Sequence, residues 1–407
     1  MARRDPPSAF WPFLAIACTL PPVDLDQKKP EEAPPGQGRF LRFSGASAPW
    51  RDKIADLIRL AWAAGAPPSI PWTPLSAQKI LIVRVSSLGD VVHNMPAVTD
   101  ILRRHPGAQV DWLVEESFVD LVQLVSGVRR AIPFSLRRWR KRLLSAANWR
   151  EIGAFRRALA AEKYDLVIDC QGLIKTAWVA SWARGPLVGL GNRTDGAGYE
   201  WPVRFFYDQR VPIEARTHVV ERTRQLVAAA LGDPKPEPTD EIDFGLDTRR
   251  AALAVAQLGL NLPVPYVVFV HATSREDKQW PEASWIELGQ ALVRRGASLV
   301  LPWGSEAERA TSERLAQTFG AAAIVPPRLS LPAVVGLIDG AAATVGVDTG
   351  LVHIAAALKR PTVELYNFAT AWRTGGYWSP NVVNLGTAGR PPTLQEVKAA
   401  LAGFGLL

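Results

Sequence analysis

The stretch Ala341-Ala-Ala-Thr-Val-Gly-Val-Asp-Thr-Gly-Leu-Val-His-Ile-Ala-Ala-Ala357 decides how the chain is read. Ala341 to Val345 is an apolar run of strand length. Asp348, Thr349 and Gly350 then break it. Leu351, Ile354, Ala355 and Leu358 return at helical spacing. The reading is strand, tight turn, helix. A helix start carries unpaired N–H groups and a positive dipole end, which suits a phosphate. Asp348 is in reach of sugar hydroxyls, and His353 lies in the first turns of the helix. On this stretch alone, an ordinary helix capped by Asp348 or Thr349 stands beside that reading.

Two further stretches repeat the pattern. One is Val83-Arg-Val-Ser-Ser-Leu-Gly-Asp-Val-Val-His-Asn-Met-Pro-Ala97, and the other is Val270-His-Ala-Thr-Ser-Arg-Glu-Asp-Lys-Gln-Trp-Pro281. Each follows an apolar strand and precedes a helical pattern. Lys79–Val85, Gln109–Glu115 and Tyr164–Cys170 read as strands of one parallel series. Helices are expected over Val91–His105 and around Phe118–Val125. A second series starts at Val264–Val270. It continues through a helix at Ala283–Arg295, strands at Ser298–Pro302 and Pro361–Tyr366, and a closing helix over Thr393–Phe404. Alternation of this kind makes a doubly wound α/β fold. Three polar turns spread over two halves point to a cleft between two α/β domains.

In their order and spacing these turns resemble the lipopolysaccharide heptosyltransferases, glycosyltransferase family 9. The resemblance runs from about Lys79 to the C-terminus. It implies a GT-B arrangement, two Rossmann-like domains facing one cleft. An acceptor-binding domain is expected over 79–245 and an ADP-heptose-binding domain over 264–407. The implied reaction moves L-glycero-D-manno-heptose from ADP-heptose to the first Kdo of Kdo-lipid A, inverting the anomeric centre. It would run at the cytoplasmic face of the inner membrane, with the protein held peripherally on that anionic surface. A family member using a heptose acceptor is one alternative. A protein that holds a nucleotide sugar without turning it over is another.

Composition agrees with this and excludes little. A hydrophobic content of 48% with 21% charged residues describes a globular protein. The formal charge of +8 favours anionic partners. Nucleic acid ranks last among them, because no zinc-finger spacing or RNA-binding aromatic signature accompanies the charge. No apolar run reaches membrane-spanning length. The two cysteines, Cys18 and Cys170, are far apart, and Cys170 reads as a buried free thiol. Residues 1–76 fall outside the resemblance. They read as a largely disordered extension with one amphipathic helix near 50–64 and a proline-rich linker over 67–74.

Transfer from a nucleotide-diphospho-sugar needs a base for the acceptor hydroxyl and positive charge for the departing diphosphate. Asp90, on the turn after the first strand, is the candidate base; helix capping is its ordinary alternative. Lys278 is the candidate diphosphate ligand, joined by Thr273 and Ser274. Trp280 would anchor that loop. Thr349, Gly350 and His353 would contact the diphosphate from the other side, and Asp348 would hold sugar hydroxyls.

By resemblance, Glu308 would take the ribose hydroxyls and Leu329 would lie against the adenine. The run Arg137-Arg-Trp-Arg-Lys-Arg142 matches the family's basic cluster. It gives Arg137, Arg138, Arg140 and Lys141, with Lys175, as acceptor ligands. Relatives usually carry Arg-Glu where this chain has Tyr199-Glu200, which alters one acceptor contact. No cofactor is expected. No His/Asp/Glu cluster has metal spacing, and no Asp-x-Asp motif occurs from Lys79 onward, so metal-independent catalysis is expected.

Overall fold

The computed structural model describes residues 78–273 and 275–407. The expected extension, its helix, Cys18 and Ser274 lie outside the described residues. Residues 137–150 group apart from the compact unit that runs to Leu136 and resumes at Glu151.

That unit contains two six-stranded sheets. The first half of the chain supplies β1 (Lys79–Val83), α1 (Leu88–Arg104), β2 (Gln109–Glu115), α2 (Val119–Val122), β3 (Val128–Phe134), α3 (Leu136–Arg140) and α4 (Ala146–Ala161). It goes on through β4 (Leu166–Asp169), α5 (Ile174–Ala180), β5 (Leu187–Leu190), β6 (Gln209–Val211), α6 (Val219–Leu231) and α7 (Thr248–Ala256). The second half supplies β7 (Tyr266–Val270), α8 (Glu282–Arg294), β8 (Ser298–Val300), α9 (Glu306–Phe319), β9 (Ala323–Ile324) and α10 (Leu331–Asp339). It ends with β10 (Ala343–Val347), α11 (Gly350–Ala357), β11 (Thr362–Leu365), α12 (Ala371–Thr374), β12 (Val382–Leu385) and α13 (Leu394–Gly403).

All strand pairs are parallel. The first sheet runs β3-β2-β1-β4-β5-β6, and the second runs β12-β11-β10-β7-β8-β9. Counted from its own first strand, each sheet has the same doubly wound order. The order reverses between β1 and β4 in one sheet and between β7 and β10 in the other. Ligands of such sheets bind outside the carboxyl ends of the strands at that reversal. The turns at Ser86–Asp90, His271–Lys278 and Asp348–His353 follow β1, β7 and β10, so all three lie there. This is the expected two-Rossmann-domain α/β architecture.

Central strands are buried on both faces, which is why they read as unbroken apolar runs. Along β7 the side chains alternate. Val268 and Val270 join an apolar cluster that continues through Ile354 on α11 and Met95 on α1 to Ile80 and Ile82 of the first sheet. Val267 and Phe269 join a second cluster with Trp285 and Val345. Helix α1 is enclosed from Val91 to Val98, because it packs against α6 and α11 as well as lying beside its own sheet.

Most expected boundaries move by a few residues, and two of the shifts have a local cause. The strand expected at Ala341–Val345 is Ala343–Val347; Ala341 still belongs to the turn closing α10, with its N–H donating to Ile338 O. The helix expected over Phe118–Val125 shortens to Val119–Val122, because Val125 bridges Leu246 and Gly127 turns the chain with φ +85°.

Candidate active site

A cavity of about 440 Å³ opens where the two reversal points come together. Arg84, Ser87, Asp90 and Gln171 line it from the first sheet. Thr273, Lys278, Asp348, Thr349, Gly350 and His353 line it from the second. Helices α1 and α11 meet there end to end. A Cβ on Gly350 would lie 2.5 Å from Leu88 Cγ, and one on Gly89 would lie 2.9 Å from His353 Cδ2. Only glycine permits that approach, and it brings two positive helix ends to one cavity.

Asp90 is the third residue of α1, and Ser87 is the N-cap. Asp90 Oδ2 accepts from Ser87 N at 2.9 Å and Ser87 Oγ at 3.0 Å. Capping is therefore part of what Asp90 does, from inside the helix rather than from the cap position. Its other oxygen pairs with Arg84 at 2.5 Å. Burial pushes this carboxyl up, but the Arg84 charge, the Ser87 N–H and Arg222 outweigh it and hold it below its ordinary value. The side chain is still 37% exposed to the cavity. Asp90 is thus an anion at neutral pH with room for a substrate hydroxyl.

Arg84 follows β1 directly and also donates to Cys170 O. Cys170 is a buried free thiol, pushed by burial up to about 12. Gln171 Oε1 accepts from Val85 N at 2.9 Å, tying the turn after β4 to the strand beside it.

On the opposite wall Lys278 Nζ donates to Asp348 Oδ2 at 2.6 Å. Asp348 Oδ1 stands 3.2 Å from His353 Nε2. His353 Nδ1 lies 3.1 Å from Glu364 Oε1. Burial lowers His353, but Asp348 and Glu364 reverse this and raise it to about 9. Burial likewise raises Asp348, and His353 and Lys278 pull it well below the usual carboxylate range. Lys278, Asp348 and His353 therefore form one charged chain ending on the buried Glu364. Glu364 also accepts from Gly376 N at 2.9 Å. Thr349 is the N-cap of α11, with no side-chain cap bond. Asp348 was expected at sugar hydroxyls; in this geometry it also fixes Lys278 and His353.

Thr273 also lines a neighbouring cavity of about 390 Å³ with His271, Trp280 and Glu308. Glu308 lies in the first turn of α9, and its Oε2 accepts from Gly304 N at 2.7 Å. Trp280 anchors its loop by donating to Pro392 O at 2.8 Å. Leu329 is half-buried against the apolar cluster and lines neither cavity. Lys175 lies on α5 and does not line them either. In the separate 137–150 stretch, Arg137, Arg138 and Arg140 lie on α3 with Lys141 just beyond. There Asn148 Nδ2 donates to Trp139 O at 3.0 Å.

Among the described residues no group of His, Cys, Asp and Glu could hold a metal ion, and no helix is long and apolar enough to cross a membrane. Sequence reasoning missed Arg84, His93, Arg222, Glu364 and Arg373. Arg84 and Glu364 left a signal, a charge inside an otherwise apolar strand run. His93 left none: it is buried, its Nε2 has no partner, and its ring lies 4.5 Å from that of His353.

Residues 152–401 match the family described as glycosyltransferase family 9 (heptosyltransferase). The chain is 45% identical over 300 residues to lipopolysaccharide heptosyltransferase 1 of Pseudomonas aeruginosa, covering 74% of this chain and 81% of that one. It is 26% identical over 298 residues to lipopolysaccharide heptosyltransferase 2 of Escherichia coli, covering 71% and 82%. The solved structure of E. coli heptosyltransferase WaaC with ADP matches with a TM-score of 0.71 at 38% identity, covering 80% of this chain and 99% of that one.

Proposed function

The chain belongs to glycosyltransferase family 9, and from that premise we propose that it transfers heptose from ADP-heptose to the first Kdo of Kdo-lipid A. Type I is favoured over type II by the higher identity to the type 1 relative. The observation that carries the reading is one cavity holding a partly exposed carboxylate, Asp90, opposite a cationic wall of Lys278 and His353.

In this mechanism the acceptor hydroxyl attacks the anomeric carbon and Asp90 takes its proton. The new bond forms as the bond from that carbon to the diphosphate oxygen breaks, with inversion. The electron pair leaves with ADP. Its charge develops against Lys278, the imidazolium of His353 and the N–H groups at the start of α11, reached past Thr349 and Gly350. These groups are fixed before substrate arrives, because Asp348 ties Lys278 to His353.

The adenosine end extends past Thr273 into the neighbouring cavity, where Glu308 takes the ribose hydroxyls. Arg137, Arg138, Arg140 and Lys141 are assigned to the acidic acceptor by resemblance, and so, separately, is Lys175. The acceptor-binding domain is 79–245 and the donor-binding domain is 264–407. With its lipid acceptor, the protein works at the cytoplasmic face of the inner membrane.

Incubation with ADP-heptose and Kdo-lipid A should give a product heavier by one heptose, read by mass spectrometry. Asp90→Asn should slow product formation by roughly 10²–10⁴-fold while ADP still binds. An Asn variant with near-normal turnover would leave the mechanism without its base.

A further inference from the structure

Besides His353, five lysine and arginine side chains line the main cavity: Arg84, Arg222, Arg275, Lys278 and Arg373. Three have carboxylates of their own. Arg84 pairs with Asp90 at 2.5 Å, Arg275 with Asp277 at 2.6 Å and Lys278 with Asp348 at 2.6 Å. The other two have neutral partners. Arg222 Nη1 donates to Thr194 Oγ1 at 3.1 Å, and Arg373 Nη1 donates to Gly196 O. Among the described residues no carboxylate stands within ion-pair distance of either. The Nε atoms of both are buried without a partner.

Arg222 is 4% exposed. Burial, and then the Arg84 charge, pull it down to about 10. A buried guanidinium with an unmet donor and cationic neighbours lowers stability unless something offsets it. Here the Thr194 bond and the Asp90 charge offset that only in part, since the group is still pulled down.

We propose that Arg222 and Arg373 form an anion seat that takes the carboxylate of the acceptor sugar beside Asp90. Both guanidinium groups anchor on the loop at Thr194–Gly196, which follows β5 at the carboxyl edge of the first sheet. Gly196 has φ +64°, and a Cβ there would lie 1.8 Å from Arg373 Nη1, so that loop position belongs to glycine. The seat is on the Asp90 side, since Arg222 is among the charges that lower Asp90.

The diphosphate is accounted for on the opposite wall by Lys278, His353 and the start of α11. The acceptor carries several acidic groups, and for the carboxylate beside the reacting hydroxyl two planar guanidinium forks suit its planar shape. Arg222 comes from α6 in the first half and Arg373 from α12 in the second. The seat is therefore complete only when both halves are in place, and it reads the acceptor's acid group next to the hydroxyl that reacts. This inference rests on the proposed heptosyl transfer.

The test uses the full chain, ADP-heptose and two acceptors: Kdo-lipid A, and the same acceptor with its Kdo carboxyl amidated. Wild-type protein should lose about 10–100-fold in kcat/KM on amidation. Arg373→Gln should lose a similar factor on the native acceptor, through KM, and should no longer distinguish the two acceptors. Arg373→Lys keeps charge without the fork and should recover part of the loss. ADP affinity by calorimetry should stay within about twofold, which also reports that the variants are folded.

Losses that add instead of overlapping would overturn the seat. So would a fall in ADP affinity matching the fall in kcat/KM, because the arginines would then hold the donor. A wild-type protein inert towards both acceptors would sink the transfer reaction and the seat together, whereas an active wild type with additive losses sinks the seat alone.

Discussion

His353 is enclosed between two carboxylates, and that sets its charge. Its folded value of about 9 lies above the ordinary 6.5. The stability it contributes is therefore complete below about 6.5 and is lost as pH rises through about 9. His353→Gln should lower stability at neutral pH by roughly 3 kcal/mol, the scale of breaking a buried pair. The gap to wild type should then shrink through that alkaline window. Thermal melts of both proteins from pH 6 upward would show it; a constant gap would mean a neutral His353 in the fold. The sequence made His353, Asp348, Lys278 and Asp90 visible because each sits in a short polar turn between apolar runs. It hid Arg222 and Arg373. They reach the cavity from helices whose patterns carry no mark of it, and only the tertiary packing brings them near Asp90. Leu329, whose expected place at the adenine came from resemblance alone, is half-buried on the apolar cluster.

At the scale of elements, the helix pair α1 and α11 holds the two walls at a fixed spacing. Gly350→Ala places a methyl group 2.5 Å from Leu88 Cγ and 2.7 Å from Leu88 Cβ. The Cβ cannot swing away, so the helix ends must separate. Overpacking of this kind costs about 1–3 kcal/mol, and the shift falls between Asp90 and Lys278. The expected result is a drop in kcat/KM of at least about tenfold with a melting temperature lowered by only a few degrees. Unchanged kcat/KM would show that the spacing is not critical. Strands β1, β2, β4, β7, β8, β10 and β11 were legible because burial in the sheet writes a continuous apolar code. Their ends were less so. Val347 looks like part of the turn, yet it pairs with Leu365 as the last residue of β10.

Across the whole molecule, one apolar cluster runs from Ile80 and Val188 in the first sheet to Val268 and Val300 in the second. Helices α7 and α10 add a close crossing, where a Cβ on Gly336 would lie 2.2 Å from Ala251 O. Two halves that share a core should not melt separately. Calorimetry is expected to give one transition, with matching van't Hoff and calorimetric enthalpies. ADP at about 100 times its dissociation constant should move the whole transition, adding about 2.7 kcal/mol. Two resolved peaks, with ADP shifting only one, would separate the halves. The two doubly wound halves were legible from two runs of alternating strand and helix patterns. The shared core was not, since a residue buried between halves looks the same in sequence as one buried within either.

That shared core also bears on any attempt to build chimeras. Joining this chain's donor half to the acceptor half of a relative would set Gly336 and Gly350 against partners they did not evolve beside. The glycines at 336 and 350 tolerate almost no change of shape opposite them. New sugar specificity in this scaffold is therefore better sought by point changes inside the cavity than by exchanging halves.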